Sequence, residues 1–350
     1  MSVSAVPTNS LVGNPGWIRS KEFDLGLIFG AAAIALVSGG LALVKPELFG
    51  VILILDLWLL GYHHVISTFT RLCCDRKSFQ EHRFLVVELP LIVIAATIGA
   101  VALFGTWVLP TTYLYWQWFH YTRQSYGVER MFRRKAPAGS VINDYITTRS
   151  LYLLPLFGIV YRSWQAPETF LGMNVRYLPV SDIGLWIVGG LAAVSVLAWL
   201  GMSLRACFRG ELAVAHFLYV LSHQLIFTVS YLLIDNITTG WLVLNVWHNI
   251  QYIMFVWWFN NKRFNDRVDE EAVFLSTISQ RKHIIAYLTV CVFASTLVYA
   301  VLQAASNAFV YSDAISVALI TTMVLNFHHY VVDGIIWKRR KAAAPVASQG

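Results

Sequence analysis

Long apolar runs, broken by short polar clusters, organise this chain from one end to the other. About 20 helical residues at 1.5 Å each cross the roughly 30 Å hydrocarbon layer of a membrane. Ten runs meet that length, near residues 25–44, 48–69, 84–108, 111–129, 144–162, 183–204, 212–234, 240–260, 284–304 and 312–336. The pattern predicts an all-α fold, a polytopic membrane bundle of ten transmembrane helices. Runs four and five are rich in Tyr, Trp and Arg, so a nine-span or re-entrant arrangement is the alternative there. The polar remainder divides the chain simply. Residues 1–23 read as a loose tail, 24–337 as one transmembrane domain, and 338–350 as a basic disordered tail.

Basic residues orient the bundle. With ten spans, the even-numbered connections and both termini lie on one side. That side receives Arg19, Lys21, Arg71, Arg76, Lys77, Arg83, Arg130, Arg133, Arg134, Lys135, Arg205, Arg209 and the Lys338–Lys341 cluster, whereas Lys45, Arg162 and Arg176 fall opposite. Both termini are therefore expected in the cytoplasm, and the chain is expected as a multi-pass protein of a bacterial inner membrane. Two cytoplasmic loops have substance, 71–83 and 261–283; the second has an apolar middle and reads as a helix lying on the membrane surface. The outer loop 163–181 reads as interfacial, with aromatic anchors.

Composition agrees with this picture and removes competing ones. The chain is 57% hydrophobic and 13% charged, against roughly 25% charged residues in soluble domains. Its net charge of +7 is the positive-inside signal and calls for no nucleic-acid partner. Cys73 and Cys74 are adjacent in a cytoplasmic loop, and Cys207 and Cys291 are isolated, so neither a disulfide framework nor an iron–sulfur cluster is expected.

Histidine changes the picture most. Of the ten histidines, His82 and His283 sit in loops, and the rest fall inside predicted spans: His63, His64, His120, His216, His223, His248, His328 and His329. Counting inward from the basic residue at each cytoplasmic end, His63, His64 and His216 lie roughly 10–12 Å deep. His120, His328 and His329 lie at about 14–15 Å, and His223 and His248 at about 21 Å. Helix-to-helix hydrogen bonds have no reason to share a depth; a metal or heme site does, because imidazole is the commonest side-chain metal ligand. Neighbouring residues diverge by about 100° around a helix. Each doublet, GYHHV and NFHHY, therefore suits two ions, or one ligand with a supporting neighbour. His216 and His223 share a face but lie about 10.5 Å apart along it, too far to bind one ion.

The expected metal ligands are His63, His64, His120, His328 and His329, with His216 or His248 completing the set. Glu88 would bridge or carry protons. Asp333, one turn after His329, would accept its second ring proton. Asp56, the series Gln117, His120 and Gln124, and the stripe Asn245, His248, Asn249 and Gln251 add polar groups to the same faces. Such a donor set suits iron, copper or zinc, not magnesium or calcium. The expected cofactor is iron, mono- or dinuclear.

The histidine doublets and the dispersed single histidines resemble, in type, the histidine-rich di-iron desaturases and hydroxylases of membrane lipids. The H-x3-H and H-x2-HH boxes of that family are not reproduced in GYHHV or NFHHY. Closer in style are the membrane carotenoid-cleaving oxygenases related to bacterial opsin-partner proteins, whose dispersed histidines hold one iron. Either resemblance implies dioxygen activation on a lipophilic substrate drawn from the bilayer, with an electron donor at the cytoplasmic face. Two other functions compete. A heme-binding electron carrier would use His223 and His248, matched in depth, as axial ligands. A proton or metal transporter would use a histidine relay, with polar groups on both sides of the midplane.

Overall fold

The computed structural model describes residues 16–309 and 317–337. Each of the ten expected segments coincides with a helix or a nearly continuous helical run: α1 (Lys21–Val44), α2 (Pro46–Leu72), α3 (Glu88–Phe104), α4 (Val108–Lys135), α5 (Asp144–Gln165), α6 (Asp182–Phe208), α7 (Val214–Leu233), α8 (Ile237–Arg263), α9 (Ile284–Phe309) and α10 (Val317–Ile336). Among the described residues, five helical runs are long and apolar enough to cross a membrane: α1, α2, α6, α7 and the Arg281–Leu302 stretch that contains most of α9. Helix α3 is apolar but shorter. The all-α architecture and its compatibility with a multi-pass membrane protein follow directly.

The surface supports that setting. Phe208, Val44, Leu103, Trp186, Ile285 and Ile183 are among the large apolar side chains turned outward, while polar groups collect inside. This reverses the distribution expected in water. Helix α8 is the axis of the bundle. It is buried along most of its length and packs on α1, α2 and α7. Gly39 lets α1 approach it closely, since a Cβ there would strike the Val243 side chain. Gly240 does the same against the Ser230 carbonyl of α7. Helices α5 and α6 form a closely packed pair beside α4 and α7, while α9 and α10 close the opposite flank against α2 and α3.

Several boundaries differ from expectation. The N-terminal tail expected over 1–23 already packs from residue 17: Trp17 and Ile18 are buried, and the Ile18 N–H donates to Asp24 at 2.5 Å. Ser20 caps α1 by accepting from Phe23 N–H. The expected C-terminal tail, 338–350, lies outside the described residues. The 261–283 loop contains a six-residue helix, Val273–Ile278, whose Leu275 and Ile278 are buried, and a short 3-10 turn, Arg281–His283. The 163–181 loop carries a short hairpin that the helical pattern did not announce, Thr169–Phe170 paired antiparallel with Met173–Asn174. Its turn is tied down where Leu171 N–H donates to Thr238 and Arg176 N–H to Thr111.

Two runs are irregular in a way that matters below. Within α2, Leu57–Gly61 forms a π-helical turn immediately before Tyr62, His63 and His64. At the C-terminal end of α7, Val229–Leu233 is another π turn. The buried Arg162 of α5 donates to the carbonyls of Ser230, Ile234 and Asp235 there. A cation at a helix C-terminus meets carbonyls that have no partner within the helix.

Candidate metal centre

All eight histidines expected in the spans are buried, so burial does not separate them. Their partners do. Helices α2, α4, α8 and α10 bring His64, His120, His248 and His329 together, with Asp333 one turn beyond His329. Ring centroids lie 4.3 Å apart for His64 and His329, 4.8 Å for His64 and His248, 4.9 Å for His120 and His248, and 5.0 Å for His120 and His329. His64, His120, His329 and Asp333 each present one donor atom within 4.8 Å of all the others. His248 caps this quartet on the α8 side.

The proton inventory shows which atoms face the centre. His64 Nδ1 lies 2.7 Å from Asn249 Oδ1. An amide oxygen only accepts, so Nδ1 carries the proton and Nε2 keeps its lone pair. The Tyr252 hydroxyl donates to Asp333 Oδ1 at 2.6 Å. The Thr68 hydroxyl, 2.8 Å from that of Tyr252, must therefore be the donor of that pair. Thr68 has no second proton, so at 3.1 Å it accepts from His329 Nδ1. Nε2 of His329 is again left with its lone pair. No hydrogen-bond partner meets Nε2 of His64, His120 or His329, nor either ring nitrogen of His248.

Asp333 Oδ2 lies 3.5 Å from His329 Nε2 and 3.9 Å from His120 Nε2. Electron-rich atoms facing one another in a buried site repel unless a cation lies between them. Ligand atoms about 2.1 Å from one ion stand about 3.4 Å apart at tetrahedral angles; the two pairs with Asp333 are near that spacing, and the set as a whole, spread over up to 4.8 Å, would have to draw inward around an ion. The expected role of Asp333 changes accordingly. It was to accept the second ring proton of His329, but Thr68 holds that position, and the carboxylate joins the donor set.

The remaining expected site residues lie elsewhere. His63 bonds back to the Leu59 carbonyl of its own helix. His328 Nε2 donates to the Leu85 carbonyl at 2.6 Å and its ring stacks on Phe69. Each doublet thus contributes one ring to the cluster and one to packing, as a 100° divergence requires. His223 Nε2 donates to the Leu151 carbonyl and its ring lies against Phe227. His216 is held 2.7 Å from Glu129, which Arg133 also contacts. Glu88 sits at a half-exposed position 4.0 Å from Arg83, away from the cluster.

Thr68, Tyr252 and Glu129 did not stand out in the sequence as site residues. Glu129 had a readable signal: one acid four residues before Arg133 inside a predicted helix end.

A cavity of about 290 Å³ adjoins the cluster at His64. Its walls are largely apolar and aromatic, including Leu53, Leu57, Trp241 and Tyr330, and it reaches Leu171 and Met173 of the outer hairpin. One wall is fixed by a buried polar chain. Gln117 donates to the Tyr113 hydroxyl at 3.0 Å, Tyr121 donates to Asn245 at 2.5 Å, and Asn245 donates to Asp56 at 2.6 Å.

No protein-family model matches this chain, and neither a curated protein nor a solved structure is significantly similar to it.

Proposed function

We propose that the chain is an integral membrane metalloenzyme of ten spans with both termini cytoplasmic, which uses one iron ion and dioxygen to oxidise a lipophilic substrate. The observation that carries this reading is the convergence of the unpartnered Nε2 atoms of His64, His120 and His329 on a carboxylate oxygen of Asp333, with the protons of His64 and His329 held on their outer nitrogens. Three histidines and one carboxylate suit iron, with zinc and copper as the competing ions, and an iron ion held there would supply dioxygen activation. The rest is the work of the chain. Asn249 and Thr68 fix the tautomers of His64 and His329, and the second-sphere bonds keep both rings aimed. Tyr252 holds a proton on Asp333 Oδ1, beside the reacting centre. The adjoining cavity orients an apolar chain and excludes water. An electron donor would dock on the basic face, where α2 and α10 end.

Elemental analysis and an absorption spectrum of the gently purified protein test this reading. The expected result is about one iron per chain, no Soret band, and dioxygen uptake on adding a lipophilic substrate extract. Absence of any metal, or full metal content in both His64→Ala and His329→Ala, overturns it.

A further inference from the structure

A second cavity, of about 230 Å³, opens beside the end of α6 and the start of α7. Arg205 and Arg209 line it. Other arginines at this end are engaged: Arg130 with Asp144, Arg133 with Glu129 and Arg263 with Asp75. Among the described residues, Arg205 and Arg209 have no side-chain hydrogen bond or ion pair. His216 also lines the cavity, but Glu129 already holds it, so that carboxylate is not available to the two guanidiniums. Glu211 is the one carboxylate in the lining, and two cations against one anion leave the mouth positive. Deeper in, the walls become apolar, with Trp199 and Phe217 stacked at 5.4 Å. Outside the mouth, Leu204, Phe208 and Val214 are exposed, Phe208 at 89%.

We propose that this cavity binds the headgroup of an anionic phospholipid. The phosphate diester pairs with Arg205 and Arg209, and the acyl chains lie over Leu204, Phe208 and Val214. Guanidinium and phosphate match in geometry, and basic pockets between spans at the cytoplasmic side are suited to such headgroups. The exposed apolar rim selects a lipid over free phosphate, because a soluble anion would leave that surface uncovered. The proposal is independent of the metal centre.

The test is native mass spectrometry of the full-length protein released from detergent, with dioleoyl phosphatidylglycerol, dioleoyl phosphatidylcholine or inorganic phosphate added. Phosphatidylglycerol is expected to remain bound and phosphatidylcholine to be lost. Arg205→Gln/Arg209→Gln should retain at least tenfold less phosphatidylglycerol, with unchanged metal content. Met202→Trp, which fills the cavity and keeps both arginines, should lose the lipid as well and covers the case in which the double variant does not fold. Equal retention of the two lipids, undiminished binding in the variants that fold, or displacement of phosphatidylglycerol by equimolar phosphate overturns the proposal.

Discussion

The molecule buries two clusters of histidine and carboxylate, and they solve the same problem oppositely. In the His216–Glu129–Arg133 cluster the imidazole and the guanidinium both lie 2.7 Å from the same carboxylate oxygen. In the His64–His120–His248–His329–Asp333 cluster the protons of His64 and His329 are directed outward, to Asn249 and to the Thr68–Tyr252 chain, and Nε2 of His64, His120 and His329 meets no hydrogen-bond partner. The first arrangement pairs its charges within the protein. The second turns several donor atoms toward one another. Burial and residue type are alike in the two, so the direction of the protons alone separates a brace from a receptor.

Substitutions can break that contrast, and the largest effect belongs to the receptor. His64→Ala and His329→Ala should each lower iron affinity by more than about 100-fold, since ligands matter more than the groups supporting them; dialysis against a chelator followed by elemental analysis reads this. His328→Ala, one residue away, should keep its iron. The brace should respond in the other quantity. Glu129→Gln leaves the Arg133 guanidinium without its anion and His216 without its carboxylate partner, and should cost about 3 kcal/mol of stability at unchanged metal content, measured by denaturant titration in mild detergent. A stable Glu129→Gln protein without metal would reverse the assignments.

Supporting groups come next. Asn249→Ala and Thr68→Val free the tautomers of His64 and His329 and should weaken iron binding by roughly 10-fold, visible as faster loss to chelator. Protons compete for the same lone pairs, so iron should also leave more readily as pH falls.

The smallest effect lies in the loop outside both clusters. The Arg281 backbone N–H, with help from Asn261, holds the Asp266 carboxyl below its usual range. A depressed carboxylate stabilises the fold above its unfolded value and ceases to do so as pH falls below about 3.9. Hydrogen exchange of residues 279–283 should therefore quicken in acid in the native chain, and Asp266→Asn should remove that dependence while leaving iron content alone.

Much of this was legible in the sequence. Apolar run length placed the ten long helical runs, and depth counting placed the histidines of α2, α4 and α10 near one another but set His248 of α8 deeper and His216 of α7 among them. Rotation about each helix was not legible. Nothing in GYHHV says that His64 turns to the centre and His63 to its own backbone, because that depends on a π turn that run length does not register. His216 and His248 could not be ranked, because the choice rested on Glu129, which reads in sequence as one more charged residue at a basic helix end. The outer hairpin was missed for a similar reason, since four residues of strand are too few to show an alternating pattern.

The π turn at Leu57–Gly61 has a longer reach than its five residues. Asp56 bonds to Asn245 and His64 to Asn249, two positions one turn apart on α8. Eight residues of regular α-helix leave two side chains about 80° out of line; absorbing one residue in the wider turn brings them to within about 20°. In terms of register the turn acts as one residue inserted into the span. A chain one residue shorter between Asp56 and Tyr62 would retain its span and its doublet, yet present His63 and His64 to different neighbours.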